Sequence, residues 1–264
     1  MTTFKPIFAI LPAIIFLTVS CVQNKKDIIV MTYNVGVFEK SGSNSMEDIA
    51  GIIRKSGAGY VSLNELDSCN IRHGVFQLQE LADAAGDWNC HFAKAFDFAG
   101  GGYGNGIITK DEIIDSYSVQ LPQSDGEEPR SMAVVETGLC VFASVHLDHI
   151  GKEARCRQAE AINSWFTEKY SNYPKPVILC GDMNATPESD AIKILSEEWE
   201  LLSGTAPTHP SDAPEVCIDY IFALKSARKI QKHEIINIEN DCPKVLSEAS
   251  DHRPIIIRIC LKFS

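Results

Sequence analysis

The sequence predicts an α/β fold with at least one mixed sheet, and three observations carry that reading. Short apolar runs of buried-strand type alternate with amphipathic segments of helical period. Some runs follow one another too closely for a helical crossover, so part of the pairing is antiparallel and hairpin-like. The strand candidates outnumber what one sheet usually holds, which points to two sheets packed together.

Along the chain, Asp27 to Val37 reads as a strand whose apolar part is Ile28, Ile29, Val30 and Met31. Ser45 can cap a helix that carries Ile49, Ile52 and Ile53 on one face and ends near Gly57. Tyr60 to Leu63 is a second strand delivering Glu65, and Val75 to Ala85 is helix-like, ending at Gly86. The run Gly100 to Gly104 reads as a tight loop before a strand from Gly106 to Thr109, and Leu121 to Arg130 as a polar loop. Ala133 to Glu136 and Leu139 to Leu147 form a hairpin pair. Lys152 to Tyr170 is the clearest helix, with Ala159, Ile162, Phe166 and Tyr170 stepping by three and four. Pro176 to Cys180 is a strand, Pro187 can open a helix to about Glu198, and Val216 to Leu224 and Pro254 to Phe263 are the last strands.

The N-terminus is separable. Lys5 precedes an apolar stretch from Pro6 to Val19 that is shorter than the roughly 20 residues of a membrane span. A charge, a short apolar core and small residues at its end describe a secretory signal over 1–20. Leu17-Thr18-Val19-Ser20-Cys21 resembles the lipobox of bacterial lipoproteins, which implies lipidation at Cys21, a tether over 21–26 and anchoring in a bacterial cell envelope. A plain cleaved signal with an incidental Cys is the alternative. One domain over 27–264 follows, without a linker-like tract. Nine cysteines leave eight after Cys21. Cys140, Cys180 and Cys260 lie in apolar runs, where free Cys behaves as a small hydrophobe, and no pair is assigned. The net charge of -11 argues against a broad duplex-binding surface, and no protein partner is indicated.

Six short polar motifs interrupt or follow the apolar runs: Thr32-Tyr33-Asn34, Asn64-Glu65, Asn105-Gly106, His146-Leu147-Asp148, Gly181-Asp182-Met183-Asn184 and Ser250-Asp251-His252. Strand ends let a rigid scaffold aim side chains at a ligand. Any one acid there is more often a solvated turn residue. Carboxylates gathered with Asn and His instead suit a hard divalent cation and a phosphate ester. Within Gly181 to Pro187, Asp182 could accept a proton from water and Asn184 could donate to a phosphoryl oxygen, although an Asx-turn before a helix also accounts for Asn184 and Pro187. His146 and Asp148 share a side of their strand, and His146 could stabilise phosphate charge or protonate a leaving oxygen. A zinc site would need a helical His pair that is absent here. Asp219 and His252 read as an orienting pair. His149 carries no functional signal of its own, and His209 reads as a loop residue.

Taken in order, these motifs resemble the endonuclease/exonuclease/phosphatase superfamily, the fold of pancreatic deoxyribonuclease. Gly-Asp-Met-Asn at 181–184 and Ser-Asp-His-Arg-Pro at 250–254 are the most specific pieces. The resemblance implies a four-layer α/β sandwich, with two mixed β-sheets packed face to face and helices on the outer faces. It also implies phosphoester hydrolysis dependent on Mg2+ or Mn2+. Under it, Glu65 is the principal metal ligand with Asn34 and Asp251 nearby, and Asp182 is the general base. Asn184 and His146 hold the phosphate, and His252, oriented by Asp219, stabilises the transition state. Asn105, Arg130 and Asp148 would lie on the substrate side. Asn64 departs from the usual Gln, and Cys69 stands where other polar residues are common.

Substrate choice stays open. The stretches that would select it are Ile71 to Gly104, Leu121 to Arg130 and Ser203 to Pro214, and none carries a basic tract with interleaved aromatics. The acidic balance leans towards a small phosphoester or a lipid head group. The alternatives are a secreted or surface nuclease acting on DNA or RNA, and a surface lipoprotein that binds without catalysis.

Overall fold

The structure is a computed structural model that describes residues 25–40, 44–230, 232–238 and 243–262, together with Met1. Residues 2–20 of the expected signal, Cys21, residues 22–24 of the tether, Cys242 and Phe263 at the end of the expected last strand lie outside the described residues. Lys25 and Lys26 already pair with Lys262 and Leu261.

The elements run β1 (Lys25–Asn34), α1 (Met46–Ser56), β2 (Tyr60–Ser68), α2 (Gln77–Gly86), β3 (Asn89–Phe98), β4 (Gly101–Thr109), β5 (Asp115–Gln120), β6 (Ser131–Glu136), β7 (Val141–His146) and α3 (Lys152–Tyr170). They continue with β8 (Val177–Asp182), α4 (Asp190–Glu198), β9 (Trp199–Leu201), β10 (Asp219–Leu224), β11 (Lys232–Ile235), α5 (Pro243–Glu248) and β12 (Ile255–Lys262). Among the described residues they form two six-stranded sheets, ordered β11-β12-β1-β2-β4-β3 and β5-β6-β7-β8-β10-β9. Each sheet is mixed. The parallel pairs are β1 with β2 and β7 with β8, and the remaining neighbours are antiparallel. The four-layer sandwich implied by the motifs is therefore the architecture found.

Alternation along each strand sorts side chains into three cores. In β1, Ile28 and Val30 face the opposite sheet, whereas Met31 and Tyr33 pack with α1 and α2. In β7, Phe142 points between the sheets, whereas Val141, Ala143 and Val145 pack under α3 and α4. Strands buried on both faces read as continuous apolar runs, which is why these were the most legible. Phe142 is fully buried and its ring lies 5.5 Å from that of Tyr60 on the facing sheet. Phe142→Ala is expected to cost about 3–5 kcal/mol of unfolding free energy, measurable as a lower urea midpoint.

Several expected boundaries move. Ser45 does not cap α1 with its side chain; its Oγ donates to the Ala249 carbonyl instead, while Gly57 does end the helix at φ 72°. The helix after Pro187 begins at Asp190, capped by Ser189. Val216 pairs back to His209, so the following strand starts only at Asp219. The stretch 71–104 is largely regular, holding α2, β3 and the start of β4.

Gly101 to Gly104 lie inside a strand, not a loop. A Cβ on Gly104 would stand 2.2 Å from the Ala93 carbonyl oxygen, so the neighbouring strand needs the missing side chain. The pairing of β4 with β2 shifts register between Leu63 and Leu66, and with β3 between Lys94 and Phe96.

Candidate active site

That register shift in β2 falls on Asn64 and Glu65, and Glu65 adopts φ 59°, in the left-handed region. A bulge of this kind re-aims a side chain next to a site, and the strain is held by the surrounding sheet. Asn64 uses its amide fully as a brace between the sheets. It donates to Asn105 Oδ1 at 3.1 Å and to the Val145 carbonyl at 2.9 Å, and it accepts from the Asp182 N–H at 3.0 Å. The shorter amide in place of Gln thus ties β2 to β4, β7 and β8.

Across the second sheet the register sets His146 beside Asp182 and Asp182 beside Asp219, on β7, β8 and β10. Gly181 enables this. Its φ is 145°, and a Cβ there would lie 1.8 Å from the Val145 carbonyl oxygen. Asn34 ends β1 and bridges the sheets, its Nδ2 donating to Glu65 Oε1 at 2.9 Å and to Asp182 Oδ2 at 3.0 Å. Ser250 Oγ holds the Asn34 carbonyl at 2.6 Å, which docks the turn carrying Asp251 and His252.

His252 Nδ1 faces Asp219 Oδ2 at 2.9 Å, and its Nε2 stands 3.6 Å from Asp182 Oδ2. Thr208 Oγ1 also donates to Asp219, at 2.6 Å. Burial opposes a charge on His252, but Asp219, then Asp182 and Asp251, outweigh it and raise the imidazole to about 10. Asp182 is raised above the ordinary carboxylate range, first by burial and then by the neighbouring Asp219. His146 is held well below the usual histidine value by burial and then by Arg130, so it acts as a neutral imidazole. Asn184, at φ 45°, sets its Nδ2 2.9 Å from His146 Nε2 and donates to the Leu147 carbonyl at 3.0 Å.

A raised His252 value has a sign. The imidazolium stabilises the folded state fully below its unfolded value of 6.5 and loses that contribution as pH rises through about 10. The urea midpoint of the metal-free protein is expected to fall between those two pH values, and to fall less in His252→Asn.

The cleft over these residues has a volume of about 310 Å3. Glu65, Arg130, His146, Asp182, Asn184 and His252 line it. Arg130 is nearly fully buried, with an Nη 3.0 Å from both Glu128 Oε1 and His149 Nδ1. Asn105 lies behind the wall, donating to the Ser131 carbonyl at 2.8 Å. Asp148 also turns inward: its carboxylate accepts from the N–H groups of Ile150 and Gly151, fixing the loop that presents His149. His209, His149, Tyr103, Glu128 and Ile218 line the cleft without having been expected. Only Thr208-His209-Pro210 offered a local signal, and it looked like a turn.

The donor set fits a hard divalent cation. Two sets of donors each gather within 4.8 Å, His209 with Asp251 and His252 and Asp182 with Asp219 and His252, and Glu65 shares the Asn34 amide with Asp182. Asn34 commits its amide nitrogen to the carboxylates and its Oδ1 accepts from the Gly36 N–H at 3.1 Å, leaving one lone pair of that oxygen.

Comparison with known proteins places the chain in a family and a fold. The model of the "Endonuclease/Exonuclease/phosphatase family" matches residues 31–252. A solved endonuclease/exonuclease/phosphatase from Beutenbergia cavernae DSM 12333 is similar at TM-score 0.71 and 20% identity, over 89% of this chain and 72% of that one. A family protein from Bacteroides thetaiotaomicron gives TM-score 0.66 and 18% identity, over 90% and 96%. A mannosyl-6-phosphatase from Bacteroides thetaiotaomicron VPI-5482 gives TM-score 0.65 and 19% identity, over 88% and 99%. No curated protein sequence matches the chain.

Proposed function

The chain belongs to the endonuclease/exonuclease/phosphatase family, and on that premise we propose that it hydrolyses a small phosphoester with Mg2+ or Mn2+ bound in the cleft. One observation carries the reading. Asp182 is buried, hydrogen-bonded by Asn34, and set within 4 Å of the charged His252, with Glu65 on the other side of the same amide. A bound cation, held by Glu65 and Asp251 with the remaining lone pair of Asn34, would offset phosphoryl charge. Asp182 takes the proton of the attacking water, its raised affinity for protons suiting that role near neutral pH. Asn184 Nδ2, which now faces His146 Nε2 and the Leu147 carbonyl, would turn one of these bonds to a phosphoryl oxygen, with His146 holding the amide in place, and His252, kept cationic by Asp219, stabilises the charge that develops.

Glu128 beside Arg130 puts a carboxylate on the cleft wall, which disfavours an extended polyanion and favours a compact monoester or a lipid head group. The similarity to a protein described as a mannosyl-6-phosphatase supports the same direction. We further propose export with lipidation at Cys21; palmitate labelling of the expressed chain should disappear in Cys21→Ala.

The test is hydrolysis of bis-p-nitrophenyl phosphate, p-nitrophenyl phosphate, sugar and inositol phosphates, sphingomyelin, plasmid DNA and RNA, with and without Mg2+ or Mn2+. The expected result is cation-dependent release from a small ester, lost in Glu65→Gln. Cleavage of DNA or RNA as the preferred substrate would overturn the small-ester assignment, and equal turnover in EDTA would overturn the metal.

A further inference from the structure

The segment 208–211 is built into the site from both ends. Thr208 Oγ1 holds Asp219, the Thr208 carbonyl accepts from the Arg253 N–H at 2.8 Å, and the Ser211 N–H donates to the Asp251 carbonyl at 2.7 Å. His209 is clamped by reciprocal backbone hydrogen bonds with Val216, at 3.1 and 3.0 Å. Its imidazole is carried into the cleft, 4.8 Å from the His252 ring, centroid to centroid. There its Nε2 stands 3.8 Å from Asp251 Oδ2, and both groups are partly open to solvent.

That separation is too long for a hydrogen bond, so the imidazole and the carboxylate do not satisfy each other. It is the right size for a shared ion. Nitrogen and carboxylate donors sit about 2.0–2.2 Å from a first-row cation and so lie at most about 4.3 Å apart around it. The other imidazole of the cluster is committed elsewhere, with Nδ1 on Asp219 and Nε2 turned to Asp182.

We propose that His209 and Asp251 form a nitrogen–oxygen ligand pair for the divalent cation of this cleft, so that the site takes Mn2+, Co2+ or Zn2+ in preference to Mg2+. This rests on the cation-dependent reading above and deepens it. Mg2+ selects oxygen ligands and keeps its waters, whereas an imidazole donor favours the transition metals. Because His209 is fixed by its backbone bonds to Val216 and by its neighbours' bonds to Arg253 and Asp251, the donor is held where the carboxylate is.

The test uses the full chain with Mn2+ alone, read by pulsed electron paramagnetic resonance and by titration. Bound Mn2+ should show 14N coupling from an imidazole, lost in His209→Asn and retained in His252→Gln. The Mn2+ Kd should weaken at least about tenfold in His209→Asn, the scale of loss found even for outer-shell partners, with Mg2+ affinity little changed. Mn2+ that binds in a Glu65-dependent way without nitrogen coupling would overturn the role of His209 and leave the hydrolase reading standing. So would a coupling that survives in His209→Asn. Absence of any bound Mn2+ in the wild-type chain would overturn the ligand pair, and absence of both Mn2+ and Mg2+ would overturn the cation-dependent reading as well. The coupling in the wild-type protein is decisive even if a variant folds poorly.

Discussion

Asp182→Asn should lower kcat by about 10²–10⁴-fold, the range that a positioned general base contributes, while the chain still folds. The carboxylate has two hydrogen-bond duties besides the proposed chemistry: Oδ2 accepts from Asn34 Nδ2 at 3.0 Å and Oδ1 accepts from the Asn184 N–H at 2.8 Å. An Asn side chain can meet only one of these, so a donor will face a donor at a cost of about 1–3 kcal/mol. Against that stands a gain, because the substitution removes a buried negative charge next to Asp219. The two effects offset, and the melting temperature should stay within a few degrees of wild type. Rate and stability measured on one preparation check this. A folded Asp182→Asn that turns over at the wild-type rate would remove Asp182 from the chemistry.

His252→Ala should fail in both respects. Loss of a preorganised donor to developing phosphoryl charge is expected to lower kcat by about 10²–10³-fold. In addition, Asp219 is essentially inaccessible to solvent, and its Oδ1 has no partner among the described residues. Stripping the imidazolium leaves that carboxylate with Thr208 alone. Breaking one half of a buried ion pair costs about 3–5 kcal/mol, which should appear as a clear drop in the urea midpoint at neutral pH. The double variant with Asp219→Asn should recover much of the stability and none of the rate. A His252→Ala protein as stable as wild type would show that the pair is not the buried contact described.

Much of the site was legible because polar residues at the ends of fully buried strands stand out against apolar neighbours. Asn34, Asp182 and Asp219 are of this kind, and all three converge. Edge elements were invisible for the opposite reason. β5 and β11 are largely exposed, so no apolar run marks them. The glycine run of 100–104 misled because glycine marks turns far more often than it marks strands crowded by bulged neighbours. His209 escaped because its partner Asp251 is distant in sequence and the link between them passes through backbone bonds, which leave no trace in residue type. Asp148 pointed the other way: strand alternation placed it beside His146, but the strand ends there and the following turn claims its carboxylate.

The amide of Asn34 joins groups that belong to different layers, Glu65 on one sheet and Asp182 on the other. The two halves of the chemistry are therefore only as well aligned as the two sheets are. Misplacement by about 1 Å can cost on the order of 100-fold in rate, far more than it costs in packing. Turnover should then act as a gauge of sheet docking. Conservative changes in the layer between the sheets, such as Ile178→Val or Ile221→Val, would slow the reaction before any loss of folded population could be detected. Robustness of the fold and robustness of the activity would be separate properties in this molecule, set by different residues.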